Sequence, residues 1–551
     1  MKTSSTNCSY IRLFNIIAVL MLLSSCYKGQ SVDLIVHNAR IHTMNEQNEV
    51  YQAMAIKDGK IVEVGPDRQI QNKYAADEIL DARGKDIYPG FTDAHGHILG
   101  LAQQKLSADL VGTRSMDELL VRLEKYASRT GKKFLVGRGW DQSLWTDSTL
   151  PSNERLNLLF PDIPVALFRI DGHAVLVNDC LLKKAGITEL TKVEGGIIHL
   201  KDGKCSGLLV DNAMNPIHDA IPAFPEKEMM QAVQEIQEEL FQYGISGVHE
   251  AGIHFKDIEF FRKMIASNKL QLNLYAMLYP TPENIRFARS KGIYVYRNMT
   301  IRSFKVIGDG ALGSRGACLK HPYSDQPGHH GVLTTTIPRL HEIADLCESL
   351  NYQMNTHAIG DSTNRLVIDL MENIYSRNKD HRWRIEHAQV LDPKDISRLG
   401  ACGAFPSVQP IHAVSDQRWA KARLGEARLA GAYAYQSILA QTGMFAVGTD
   451  FPVEPFNPFM NIHAAVQRKD KENLPAAGFL AREAISFEDC IRGMTIWSAF
   501  GAFSESSLGS LETNKDATFA IFESPVKSTS GFRENYAFMT FIKGKKVYSA
   551  E

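Results

Sequence analysis

Alternating apolar and polar positions frame both ends of this chain, and a different rhythm fills the middle. Residues 33–41 and 53–65 alternate with the period of half-buried strands, and Asp58-Gly59 in the second stretch is a hairpin turn signal. The pattern returns over 517–522 and 538–548, the latter predicting a hairpin around Lys543-Gly544. The two ends are therefore expected to share one small β-sandwich. From about Pro89 to Phe503, short apolar runs alternate with helical patterns, which predicts parallel β/α units and, over that length, an α/β fold of the (β/α)8 TIM-barrel type. Glu228 to Tyr243 predicts a helix leading into a strand at 247–249. Pro338 to Leu350 predicts another leading into a strand over 352–357, with Pro338 suited to the first helical position. The stretch from about 99 to 221 is long for one or two β/α steps. It holds Trp140, Trp145, Pro151, Pro161 and Pro164, and reads as an insertion over the barrel mouth.

The first residues are a different material. Lys2 and Arg12 flank a polar start, an apolar run extends from Leu13 to Leu23, and Leu23-Ser24-Ser25-Cys26 closes it, the layout of an export signal. That ending resembles the lipobox of bacterial lipoproteins, whose cysteine is acylated and becomes the new N-terminus. The alternative is an ordinary cleaved signal or an uncleaved anchor, and the apolar run is short for a membrane span. The expected plan is a leader over 1–25, a composite sandwich from 26–88 and 504–551, and a barrel over 89–503 with its insertion at 99–221. The protein is expected to be exported and held in the bacterial cell envelope by a lipid on Cys26.

Composition narrows the partners. The 551 residues include 61 basic and 62 acidic side chains, with 44% hydrophobic and 22% charged positions, so nothing points to disorder or to a polyanionic partner. A small-molecule substrate is expected and nucleic acid is not; a homo-oligomer stays open. Apart from Cys8 and Cys26, the six cysteines are scattered, without the short paired spacings of a zinc knuckle or a redox dithiol.

Candidate chemistry sits where apolar runs end. His95 and His97 follow Pro89-Gly90-Phe91-Thr92-Asp93-Ala94, and in a strand residues i and i+2 share a face, so both imidazoles can reach one metal. His357, His387 and Asp450 close later runs, at the end of the barrel where active sites are built, and Lys305 lies within another apolar run. Neutral imidazoles, a carboxylate and a modifiable lysine suit a divalent metal, expected to be zinc, that keeps a position for water. Asp450 has two candidate jobs, ligand and proton acceptor, against the plainer one of capping the next segment. The plainer reading of Lys305 is an ion pair with a carboxylate such as Asp309. His173 and His249 end strand-like runs as pocket residues or as core histidines.

These residues belong to a longer string. It runs through Gly137-Arg138-Gly139-Trp140-Asp141, Asp171-Gly172-His173-Ala174, Asp309-Gly310-Ala311-Leu312-Gly313-Ser314-Arg315, His357-Ala358-Ile359-Gly360-Asp361, Arg384-Ile385-Glu386-His387, Gln409-Pro410 with His412, and Gly448-Thr449-Asp450-Phe451-Pro452-Val453. In this order it resembles the amidohydrolase superfamily, and within it family 3, the branch of N-substituted formamide deformylase-like proteins. The resemblance implies a barrel with a bipartite sandwich, one or two divalent metal ions, and hydrolysis of an amide, formamide or cyclic amide carbon–nitrogen bond by metal-activated water. It implies His95 and His97 on the more buried metal, His357 and His387 on the second, a carboxylated Lys305 bridging them, and Asp450 as ligand and general base. The catalytic candidates are Asp450, His387 and His173. Trp140, Asp141, Arg315 and His412 are implied only as pocket or supporting positions. One departure is that Gly509 to Ala517 lacks the Pro-Gly turn common in relatives, which bears on a sandwich loop and not on the chemistry. Two other readings are a catalytically silent, lipid-tethered binding protein on the same fold, and a hydrolase of esters or lactones.

Overall fold

The computed structural model describes residues 29–527, 532 and 534–550. The expected leader and Cys26 lie outside the described residues. At the centre stand eight strands: β1 (Phe91–Gly96), β2 (Ile245–Ile253), β3 (Asn273–Leu278), β4 (Met299–Ile307), β5 (Gln353–Ala358), β6 (Arg384–His387), β7 (Phe405–Val408) and β8 (Ala446–Val447). They pair in sequence order, each neighbour parallel to the next. They are buried on both faces, because one face fills the lumen and the other meets the helices, and buried polar side chains such as Asp93, His95, Lys305, Asn355 and Glu386 interrupt their apolar residues. β1 and β8 meet through a single parallel bridge between Gly96 and Phe451. There the Asp450 N–H donates to the His95 carbonyl at 2.7 Å, and the His97 N–H to the Phe451 carbonyl at 2.8 Å. The closing seam of the barrel thus ties together three of the candidate site residues.

The surrounding helices follow their sequence patterns. Glu226–Gln242 buries Ala232, Val233, Ile236, Leu240 and Phe241 at helical spacing against the barrel. Ile337–Leu350 starts one residue earlier than the proline suggested, so Pro338 is its second residue, still in the first turn where an N–H has no intrahelical acceptor. β8 is only two residues long, and three residues beyond it Asp450 turns the backbone to φ 63°.

The two chain ends form a pair of sheets around a shared core. One holds Gln30–His37, Ala53–Lys57, Lys60–Gly65 and Tyr74–Asp81; the other combines Arg40–His42, Val50–Tyr51 and Asp86–Pro89 with Phe519–Phe522, Ala537–Ile542 and Lys545–Ser549. Leu34, Val36, Ile56 and Ile87 pack there with Phe519, Ile521 and Phe541. Both predicted hairpins are present. The stretch 33–41 is broken, however, by Asn38 at φ 53°, which passes the chain from one sheet to the other.

Between β1 and β2 lies a second body. The helix Ile98–Lys105 packs on Glu226–Gln242 as part of the barrel wall. A six-stranded sheet of its own follows, in the order 196–201, 204–211, 174–177, 165–169, 135–140, 108–109. Apolar clusters cover both its faces, one with Leu119, Leu123 and Leu156, the other with Leu181, Leu182 and Ile217. Among the described residues, no helix is long and apolar enough to cross a membrane.

Candidate active site

The six candidate ligands converge on the C-terminal end of the barrel. His95 lies in β1 and His97 one residue beyond it; Lys305 and His357 lie in the adjacent strands β4 and β5; His387 ends β6; Asp450 follows β8 by three residues. The Asp450 Oδ1 lies 3.1 Å from His97 Nε2 and 3.5 Å from His95 Nε2, and Oδ2 lies 3.4 Å from His412 Nε2. Ring centroids of His95 and His387 are 4.7 Å apart, and those of His357 and His387 4.5 Å. Lys305 Nζ is 3.1 Å from His95 Nε2. No ion pair with Asp309 forms: the Asp309 carboxylate instead accepts from the Cys318, Ile359 and Gly360 amides.

A layer of buried groups aims these side chains. Glu386 Oε2 meets His95 Nδ1 at 2.5 Å, leaving Nε2 for the site, and Glu386 is itself held by Arg384, whose Nε lies 2.7 Å from Oε1. The Gln409 side-chain oxygen fixes His387 Nδ1 at 2.8 Å. Asp93 accepts from the His95 amide and from Thr449 Oγ1, joining the start of β1's active end to β8. In a regular strand only one of Glu386 and His387 could face the lumen. His387 sits at φ 74°, and both reach the centre.

Burial decides the protonation states. It pushes His95 down to about 4, with the Lys305 charge adding to the effect. Burial likewise lowers His97, His357 and His387, so these imidazoles are neutral and offer lone pairs. Burial draws Lys305 down to about 8. Burial alone would raise the Asp450 carboxyl, but hydrogen bonds from His412 and His97 outweigh it and keep the group ionised. His412 is the converse: burial is overcome by Asp450 and Glu454, which raise it to about 10.

The donor set fits a divalent metal. The nearest ligand atoms of His95, His387 and Asp450 all lie within 4.8 Å of one another. Nε2 of His357 is buried with no hydrogen-bond partner, its nearest carboxylate being Asp309 Oδ1 at 3.8 Å, beyond hydrogen-bond range. Lys305, buried and easily neutralised, has the character needed for carboxylation.

Other sequence candidates divide. His173, from the insertion, reaches the site: its ring lies 5.0 Å from that of His357, and its Nδ1 is 2.7 Å from Asp211 Oδ1. His412 reaches it as well, between Asp450 and Glu454. His249 is a core histidine, hydrogen-bonded to Arg384 at 2.9 Å beneath the ligands. Trp140 is buried inside the insertion, donating to the Leu167 carbonyl, and Arg315 pairs with Asp325; neither joins the cluster. Asp141 is consumed by Arg169. Sequence reasoning gave no role to Glu386, Arg384, Gln409 or Asp211. The opposite charges of Arg384 and Glu386, two apart in an otherwise buried strand, were the available signal for the first two.

Comparison with known proteins agrees with this architecture. Over 94% of this chain and 92% of the relative, it is 29% identical to Protein LONG AFTER FAR-RED 3 of Arabidopsis thaliana. It is 24% identical to an N-substituted formamide deformylase of Arthrobacter pascens, over 94% of this chain and 99% of that protein. An uncharacterized metal-dependent hydrolase from Pyrococcus horikoshii OT3 superposes with a TM-score of 0.73 at 26% identity, covering 90% of this chain and 98% of that structure. The model of the amidohydrolase family matches residues 78–548. With that match spanning most of its length, the chain belongs to the amidohydrolase family and is a hydrolase of that superfamily.

Proposed function

We propose that the protein hydrolyses a carbon–nitrogen bond of a small molecule, an amide, formamide or cyclic amide, with Asp450 as the proton carrier. The observation that supports this most is the ionised Asp450 carboxylate, 3.1 Å from His97 Nε2 and set among neutral imidazoles at the barrel seam. The relative named as an N-substituted formamide deformylase supports the choice of bond. Zinc, which His95, His97, His357, His387, Asp450 and a carboxylated Lys305 would hold, would supply Lewis-acid chemistry to the carbonyl and to water. Asp450 takes a proton from the attacking water as the tetrahedral intermediate forms and returns it to the departing nitrogen. Glu386 and Gln409 hold His95 and His387 in the tautomers that present Nε2. His173, oriented by Asp211, faces the same space from the insertion and donates to the carbonyl oxygen.

The test is metal content per chain together with turnover of matched amides, formamides, esters and lactones by the soluble form beginning after Cys26. Metal-dependent amide or formamide cleavage is expected. Turnover confined to esters and lactones would overturn the choice of bond, and metal binding without turnover would favour the silent binding protein. We also propose export and lipid tethering through Cys26, supported by the leader residues; metabolic labelling with a fatty acid that fails to mark the chain would reject it.

A further inference from the structure

Two of the candidate ligands are aimed by a buried side chain, His95 by Glu386 and His387 by Gln409. His97 has no such partner. Its Nε2 lies 3.1 Å from Asp450, and among the described residues no side chain holds its other ring nitrogen. The ring is placed through its backbone instead. The His97 N–H donates to the Phe451 carbonyl at the barrel seam, and its own carbonyl accepts from the Leu101 N–H at 2.8 Å, inside the helix Ile98–Lys105. His97 is thus the cap residue of that helix, and its side chain makes no cap hydrogen bond.

The cap comes from another strand. Glu250 of β2, only 1% exposed, accepts from the Ile98 N–H through Oε2 at 2.6 Å and from the Leu99 N–H through Oε1 at 3.3 Å. These are two of the four amides that a helix start leaves without acceptors. β2 pairs with β1 so that Glu250 stands opposite Gly96, the residue before His97. The turn that Glu250 holds is also pressed against the ligand. A Cβ at Gly100 would stand 3.2 Å from the His97 Cβ and 3.6 Å from Pro452, two residues past Asp450.

Glu250 is a costly way to cap a helix. Its surroundings supply no cation, and burial raises its carboxyl to about 8 against the two amide bonds. Ser, Thr, Asp or Asn at position 97 would cap the helix locally, with no carboxyl group buried. That position carries an imidazole instead, so the acceptors have to reach in from a neighbouring strand.

We infer that Glu250 is the positioning residue of His97: its carboxyl oxygens hold the first turn of the helix that His97 begins, and so fix where the imidazole stands against Asp450. This rests on the metal-centre reading of the six candidate ligands, and it brings in β2, a strand that carries none of them. The role lies in where the acceptor oxygen stands, not in the charge.

The test measures two properties of the full-length protein: zinc affinity, by competition with a chromophoric chelator, and the visible absorption of the cobalt-substituted form, which follows coordination geometry. E250M keeps the length of the side chain but offers no acceptor oxygen, so zinc affinity should fall by about 10- to 100-fold and the cobalt bands should change. E250Q keeps an acceptor at the same reach and should recover most of that loss. E250D keeps the charge but is one methylene short of the Ile98 amide, so it should resemble E250M; it carries the test if E250M does not fold. Wild-type affinity and cobalt bands in E250D and E250M, even with a lower denaturant midpoint, would make Glu250 a structural cap and overturn the proposal. A wild-type E250D beside an impaired E250Q would assign the effect to charge and overturn it too. Wild-type protein that takes up neither metal would remove the metal-centre reading and the proposal with it, whereas wild-type uptake with unaltered variants would remove the proposal alone.

Discussion

Glu386 and His95, 291 positions apart in sequence, share a 2.5 Å contact between Oε2 and Nδ1 in which both side chains are closed to solvent. Arg384 supplies the balancing charge, and it also donates to the Ala94 carbonyl and to Ser407. Removing one member of such a set differs from never having had it. Glu386→Gln keeps the shape but loses the charge that fixes the His95 tautomer, and metal affinity should fall by about 10- to 100-fold, as competition with a chromophoric chelator would show. Arg384→Met strands a buried carboxylate and should destabilise the fold by about 3–5 kcal/mol. A denaturant midpoint unchanged from wild type would contradict this.

Lys305 is expected to link metal loading to pH. Its amine is drawn down from 10.5 to about 8 by burial. Only the neutral amine reacts with carbon dioxide, so carboxylation and the second equivalent of metal should increase as pH rises through about 8 in bicarbonate. In Lys305→Met that dependence should vanish. The stability consequence has a definite sign. A lysine whose folded pKa is depressed penalises folding fully below that pKa, and the penalty fades as pH approaches the unfolded value. Metal-free Lys305→Met should therefore exceed the wild type in stability below pH 8, by on the order of 3 kcal/mol, and the gain should shrink toward pH 10.5. A pH-independent difference would place the lysine elsewhere.

Asp450→Asn removes the proton acceptor while keeping a side chain of the same size beside His97 and His412. Turnover should drop by about a hundredfold or more, and mass spectrometry under native conditions should still find bound metal. Unchanged hydrolysis would end the assignment of Asp450 as base.

Much of this site could be read before the fold was known, because histidines and an aspartate closing apolar runs fall where barrel strands end. The insertion was visible as surplus length with clustered prolines and tryptophans, and the sandwich as alternation at both ends. What escaped the sequence were contacts that depend on unusual backbone. His387 at φ 74°, Asp450 at φ 63° and Asp211 at φ 51° leave the conformations that strand periodicity assumes. Alternation would have sent Glu386 away from the lumen if His387 faced in, and no spacing rule joins Asp211 to His173.

His412 should leave a mark on stability at alkaline pH. Asp450 and Glu454 overcome the effect of burial and raise it from 6.5 to about 10. A group with a raised folded pKa contributes its stability in full below the unfolded value and loses it as pH rises through the folded one. Metal-free wild type should therefore lose stability relative to His412→Gln between pH 6.5 and about 10. Parallel curves for the two proteins would mean that His412 stays neutral between its two acidic neighbours.

Asp211 offers the sharpest test of whether the insertion takes part in catalysis. Its backbone lies at φ 51° and ψ −128°, outside the left-handed helical well, a conformation that costs about 1–3 kcal/mol. Its Oδ1 holds His173, while Oδ2 is buried without a partner against Gly310 and Gly316, where any side chain would collide with it. If the strain serves to point His173 at the substrate carbonyl, Asp211→Asn and Gly310→Ala should act alike. Both should lower kcat by about tenfold or more through lost orientation, shift the alkaline limb of the pH profile set by His173, and leave metal content unchanged. In the His173→Asn background neither change should cost much further activity. Independent, additive losses would instead make Asp211 a structural residue of the insertion, with no part in aiming the histidine.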